Sequence, residues 1–354
     1  MNTISHLTND AIELLQSLIQ TPSFSRYEDK TANILKIYLE KYCTHVNTLN
    51  NNVWVKNQYF DVSKPTILLN SHHDTVPANK GYTRNYLDGV IENEKLFGLG
   101  SNDAGGALVS LLATFLHFYS KEKLAYNLIF AATAEEEISG TDGIELLYAH
   151  LPNINFALVG EPTQMQMAVA EKGLLVIDCT VNGIAGHAAR EEGENAIYKA
   201  LKDIEWFQNF EFEKVSQLLG PVKMSVTILK AGMQHNMVPD LCTFTVDIRI
   251  NELYSHKEIL NIISENTSCL VTPRSTRIKS SSIAISHPLI QSGILLGRKI
   301  YGSPTTSDKA LISCPSLKMG PGDSARSHTA DEFIYINEIE EGIKIYIKLL
   351  ENIL

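Results

Sequence analysis

The chain has 354 residues and a net charge of −10, with 44% hydrophobic and 20% charged residues. This is the balance of a globular protein, and the length exceeds one average core, so two domains are expected. The negative charge argues against nucleic acid, whose phosphates need basic stripes to neutralise them, and no apolar run approaches the ~20 residues that span a bilayer, so neither nucleic acid nor membrane is an expected partner.

Apolar residues at Ile12, Leu15, Leu18 and Ile19 have helical spacing, and Thr21-Pro22 ends the helix predicted over 8–20. Residues 66–69, 128–131 and 156–159 read as buried strands. Helical patterns lie between them, over 104–118 and 143–149. This alternation predicts an α/β domain with a largely parallel sheet. After about Glu171 the pattern changes to a strand over 174–181, a helix over 195–207, strands over 222–229 and 243–250, a helix over 255–264 and a strand over 276–285. The order β-α-β-β-α-β is that of a ferredoxin-like α+β sandwich. From His287-Pro288 the first character returns, with a helix from Ser292, a strand over 317–319 and an amphipathic helix over 337–353. A smaller domain of residues 172–284 is thus expected as an insertion between 1–171 and 285–354, which together form the larger one.

The five cysteines are far apart and form no CxxC pair, which fits buried thiols in a reducing compartment rather than a disulfide framework. The N-terminus has neither the basic start nor the apolar core of a signal peptide, and a cytoplasmic location is expected.

The chemistry-bearing residues follow the predicted strands. The run 66–70 enters Ser71-His72-His73-Asp74, the run 128–132 enters Glu135-Glu136-Glu137, and the run 156–159 enters Gly160-Glu161-Pro162. The run 317–319 leads to a loop bearing Asp323 and His328, and Asp103 stands just before a predicted helix. In a parallel sheet these strand ends open on one edge, where ligands bind. Two histidines and several carboxylates in one crevice are unfavourable unless cations neutralise them. Imidazole with carboxylate suits Zn²⁺ and tolerates Co²⁺ or Mn²⁺. Each signal alone has a plainer reading: a lone histidine as a core or surface residue, the glutamate run as a solvated helix start, Glu161 as a turn residue. Gly98-x-Gly100 falls short of a dinucleotide fingerprint, and no P-loop lysine follows it.

The segments Ser71-His72-His73-Asp74-Thr75-Val76-Pro77, Gly98-Leu99-Gly100-Ser101-Asn102-Asp103-Ala104-Gly105-Gly106, Ala134-Glu135-Glu136-Glu137-Ile138, Val159-Gly160-Glu161-Pro162-Thr163, Gly186-His187, Asn236-Met237-Val238-Pro239-Asp240 and Gly320-Pro321-Gly322 through His328 to Glu332 resemble the M20 metallopeptidase family. The resemblance covers nearly the whole chain. It implies a zinc-peptidase-like α/β catalytic domain with an inserted dimerisation (lid) domain, and two zinc ions per subunit. It implies His72 and Glu161 on one ion, Glu137 and His328 on the other, and Asp103 bridging. Glu136 takes the place of the general base, and Asp74 that of the residue orienting His72. The family commonly has Asp-Glu-Glu at 135–137, and a cis peptide bond after the bridging Asp. By the same resemblance His187 stabilises the oxyanion in a neighbouring subunit's site, so a homodimer is expected. His187 also reads as a helix-cap or surface histidine. Asn236 and Arg249 resemble positions that bind the substrate's carboxylate or acyl end; Arg249 reads equally as a structural ion pair.

The stretches 69–72 and 98–105 are most similar to the acetylornithine deacetylase branch, which implies a small N-acyl amino acid as substrate. N-acetylornithine in arginine biosynthesis comes first, with N-acetylcitrulline and N-succinylornithine near it. A di- or tripeptidase, or a succinyl-diaminopimelate desuccinylase, is the alternative within the family. A metal-free scaffold that kept the fold would lack a ligand or the base, and none is missing here. Between the first two motifs, Tyr82-Thr83-Arg84-Asn85-Tyr86-Leu87 lacks the proline of many relatives.

Overall fold

The computed structural model describes residues 3–354. The chain divides into two compact units: Met1–Val169 with Ser282–Tyr301 and Ser307–Leu354, and Ala170–Ser281 with Gly302–Thr306.

The first unit is built on a mixed sheet whose strands lie in the order Val46–Leu49, Asn52–Lys56, Asn127–Thr133, Thr66–His72, Phe156–Val159, Ser316–Lys318 and Met167–Glu171. Thr66–His72 runs parallel to both of its neighbours, and Ser316–Lys318 runs parallel to Phe156–Val159. Every residue of Thr66–His72 and Asn127–Thr133 is buried. That burial explains why these strands read as continuous apolar runs: both faces of a parallel sheet are covered. Ile67, Leu69, Leu128 and Phe130 enter one core with the helices Ile4–Ile19, Gly106–Phe118 and Ile336–Glu351, while Leu68, Ile129, Ala157 and Val159 meet Ile144 and Leu147 of the helix Ile144–His150 on the other face. Two elements carry little signal in the sequence. The helix Asp29–Glu40 buries Thr31, Ala32, Leu35 and Leu39, a small and partly polar stripe. The hairpin Val46–Leu49 with Asn52–Lys56 adds the antiparallel edge.

The second unit has antiparallel strands in the order Lys223–Ala231, Leu241–Ile250, Gly173–Asn182 and Leu270–Pro273. Helices Ala196–Asn209 and His256–Asn266 bury Ala200, Phe207, Ile259 and Ile263 with Leu175, Ile177 and Phe244. This is the ferredoxin-like arrangement.

Two expected elements are corrected. The last strand of the second unit is Leu270–Pro273, and within 276–285 only Ser281–Ser282 is extended in a ladder. The real strand is short, lies at an edge and ends at Pro273, so it has no buried alternation to read. The helix expected from Ser292 is Pro288–Leu295. The His287 ring nitrogen Nδ1 accepts the Leu289 N–H at 3.2 Å and Pro288 takes the first helical position, a start signal inside the dipeptide itself. Among the described residues, no helix is long and apolar enough to cross a membrane.

Candidate active site

His72 is the last residue of its strand, opposite Thr133 at the end of Asn127–Thr133. The next strands along, Phe156–Val159 and Ser316–Lys318, end on the same edge and lead to Glu161 and to the loop of His328. Asp103 is carried by the tight turn Ser101–Gly105 that opens the helix Gly106–Phe118, and its bond to Ala104 is cis. The turn needs its glycines: Gly100 has φ +78°, and a Cβ on Gly105 would lie 2.4 Å from the Gly100 carbonyl oxygen.

These elements bring six of the expected residues together. His72 Nε2 lies 3.4 Å from Asp103 Oδ1, 3.7 Å from Glu161 Oε1 and 3.9 Å from Glu136 Oε2. On the other side His328 Nε2 lies 3.0 Å from Glu137 Oε2 and 3.6 Å from Asp103 Oδ2. Asp103 thus turns one oxygen to each histidine. Ligand atoms of His72, Asp103 and Glu137, and of His72, Glu136 and Glu161, lie within 4.8 Å of one another. The His72 ring is 1% exposed, whereas that of His328 is 55% exposed.

The charges strain against burial. Burial pushes the Glu161 carboxyl up to about 8, with the Asp103 charge adding to it. Burial likewise holds Glu136 well above the usual carboxylate range against the attraction of His72. Burial opposes a charge on His72, but the hydrogen-bonded carboxylates of Asp103 and Asp74 outweigh it and raise its pKa well above the usual value. The hydrogen bond to Glu137 lifts His328 to about 9. A crowd of largely buried carboxylates around two imidazoles, with His72 Nε2 3.4–3.9 Å from Asp103, Glu161 and Glu136, fits divalent cations, which would relieve each of these shifts.

Asp74 is buried beside this cluster. Its Oδ1 accepts the Glu136 N–H at 3.0 Å, and its Oδ2 accepts the Glu137 N–H at 3.2 Å and the Ser25 hydroxyl at 2.7 Å. Glu135 takes a left-handed backbone, φ +57°, and its carboxylate accepts the Asp142 N–H at 3.4 Å rather than joining the cluster. His73 is buried against Thr31 Oγ1 and the Asn51 carbonyl, each at 2.9 Å. Asp323 caps its own turn through the Ala325 N–H at 2.9 Å.

Other supporting residues were given no role by the sequence. The buried Glu332 carboxylate accepts the N–H groups of Gly100, Asn102 and Asp103 at 3.2, 2.8 and 3.0 Å, which fixes the turn bearing Asp103. Asp308 accepts Asn70 Nδ2 at 2.8 Å and the Thr133 hydroxyl at 2.6 Å, tying two strand ends together; burial lifts it to about 6. Both partners are distant in sequence, so only the fold reveals them. The loop over 82–87 is held to Asp331, which accepts the Thr83 hydroxyl at 2.6 Å.

The three remaining residues lie in the second unit. Gly186–His187 pairs with Met237–Val238, and the Ala188 N–H donates to the Asn236 carbonyl at 3.0 Å, so Asn236 flanks the small ladder that carries His187. Arg249 is in the main sheet, where its guanidinium grips Asp247 at 2.8 and 3.0 Å.

The profile of the peptidase family M20/M25/M40 matches residues 68–352. A [LysW]-lysine/[LysW]-ornithine hydrolase of Sulfurisphaera tokodaii is 29% identical over 353 residues, covering 96% of this chain and 95% of that protein. An acetylornithine deacetylase of Buchnera aphidicola is 25% identical, covering 96% of this chain and 97% of that protein. The crystal structure of an M20 family metallo-carboxypeptidase, Sso-CP2 from Sulfolobus solfataricus, superimposes with a TM-score of 0.76 at 17% identity over 97% of this chain and 99% of that one.

Proposed function

The chain belongs to the M20/M25/M40 peptidase family of metal-dependent amidohydrolases, and from that premise we propose that it removes the N-acyl group from ornithine or a close analogue. The observation that carries the reading is Asp103, whose two carboxylate oxygens face His72 and His328 at 3.4 and 3.6 Å. His72 and Glu161 would hold one zinc ion, Glu137 and His328 the other, with Asp103 common to both; Co²⁺ or Mn²⁺ can substitute. When bound, the ions supply positive charge that lowers the pKa of a water and polarises the amide carbonyl.

Glu136 is the general base. Its carboxylate lies in the cluster 3.9 Å from His72 Nε2, a place from which it can take a proton from water and return it to the departing nitrogen. Asp74 holds the N–H groups of both Glu136 and Glu137, and so fixes base and ligand in one turn. His187 is exposed in the second unit and would donate to the oxyanion, from a partner subunit in a homodimer. The dimer is supported by the free edge strand Lys223–Ala231, where Ile228 and Leu229 are exposed. Asn236 and Arg249 would contact the substrate's carboxylate or acyl end; Arg249 must then share its guanidinium with Asp247. The site belongs to cytoplasmic arginine biosynthesis on this reading.

Ornithine appears in the names of both relatives, which supports it as the amino acid released. The acyl group differs between them, so a LysW-linked lysine or ornithine is the second reading, favoured by the relative from Sulfurisphaera tokodaii. The test is a panel of N-acetyl and N-succinyl forms of ornithine, citrulline, lysine and diaminopimelate, with dipeptides alongside. The highest kcat/KM is expected for N-acetylornithine; faster turnover of dipeptides overturns the proposal.

A further inference from the structure

We propose that Glu28 is a positioning residue of the active site, acting through the backbone N–H of Glu135 on the turn that presents Glu136 and Glu137; this rests on the reading of that site given above. Glu28 stands immediately before the helix Asp29–Glu40, where a side chain would ordinarily cap the helix, yet it makes no such bond. Its side chain is instead fully buried. One carboxylate oxygen accepts the N–H of Arg26 at 2.6 Å and that of Glu135 at 3.3 Å, and the other accepts Asn51 Nδ2 at 2.8 Å.

The consequence is an ordered row of contacts. The successive N–H groups of Glu135, Glu136 and Glu137 point to Glu28 Oε1, Asp74 Oδ1 and Asp74 Oδ2. Three consecutive donors are thus each met by a buried carboxylate. Both carboxylates are gripped by one loop, since Ser25 donates to Asp74 and Arg26 to Glu28. Glu135 is left-handed at φ +57°, and this reversal sends its side chain away while the next two enter the cluster. Glu28 holds the residue at which the reversal occurs. Loss of its charge frees that backbone, and Glu137 is the ligand that moves with it.

Zinc titration calorimetry tests this without reference to any substrate. The wild type, Glu28→Gln and Glu28→Asp are compared with Thr31→Val, which removes a buried hydroxyl from the Glu28 main-chain carbonyl and from His73 but leaves the carboxylate alone. Melting temperatures are recorded for all four. The expected result is two zinc ions in the wild type, with one of them weakened about tenfold in Glu28→Gln. Glu28→Asp, which keeps the charge but is too short to reach the N–H of Glu135, shows the same loss and carries the comparison if the Gln variant does not fold. Thr31→Val keeps both affinities within about twofold despite a lowered melting temperature. Unchanged affinities in the Glu28 variants, or equal losses in Thr31→Val, overturn the positioning role. A wild type that takes up no zinc removes the reading of the site, and this inference with it.

Discussion

His72 Nδ1 lies 3.0 Å from the main-chain oxygen of Asp74 and 3.4 Å from its carboxylate. The ring is therefore oriented chiefly by backbone, and the carboxylate is left to hold the N–H groups of Glu136 and Glu137. Asp74→Asn keeps the main-chain acceptor but sets an amide NH₂ against one of those donors. We expect kcat to fall about 10- to 100-fold with little change in KM, measured by steady-state kinetics on the best substrate of the panel. Near-normal kcat would show that the backbone contact to His72 is all that Asp74 provides.

Glu136→Gln removes the proton acceptor while preserving shape. Turnover is expected to fall by about 10²- to 10⁴-fold, with zinc content by elemental analysis unchanged. Loss of zinc in this variant would instead make Glu136 a ligand, a role its place beside His72 and Glu161 also allows.

The pH dependence of stability follows from the raised groups. Burial holds Glu161 and Glu332 at about 8, and the Glu137 contact holds His328 at about 9. Each binds its proton more tightly folded than unfolded, where ordinary values of about 4.3 and 6.5 apply. Stability from His328 is therefore complete below its unfolded value and lost as pH rises through 9; that from the two glutamates is lost as pH rises toward 8. Chelator-treated protein should melt at progressively lower temperature between about pH 7 and 9, by scanning calorimetry. Zinc displaces the protons of Glu161 and His328, so it should flatten the slope, and its affinity should rise over the same range.

The oligomer has its own test. The wild type is expected to sediment as a dimer and Leu229→Lys, on the free edge strand, as a monomer. Mixing His187→Ala with Glu136→Ala protein should recover part of the activity if His187 serves the neighbouring site. No recovery after subunit exchange would confine each site to one chain.

Several residues of the candidate site were legible in the sequence because they follow strands that are buried on both faces, and such strands announce themselves as apolar runs. His72 and Glu161 could be placed on one edge from this alone. The motif residues Asp103 and His328 needed the family resemblance, since a tight turn and a left-handed position have no periodicity. Glu28 and Asp308 were invisible for another reason. Each acts by accepting N–H, hydroxyl or amide donors from segments far away in the chain, and nothing in the local pattern distinguishes them from solvated acids. The strand Leu270–Pro273 was missed because an exposed edge strand has no buried face to alternate against.

The strand Ser316–Lys318 fills the place between Phe156–Val159 and Met167–Glu171, although it leaves the ribosome long after both. The second unit, drawn almost entirely from the continuous stretch Ala170–Ser281, is synthesised in the interval and can close early. The first unit cannot. Until its last segment emerges, Phe156–Val159 presents an unpaired edge on that side, and the loop bearing His328 does not yet exist. Nascent chains halted in this window would carry one finished unit and one sticky half-sheet, the form most in need of a chaperone. The candidate site is therefore completed only after the second unit has been made.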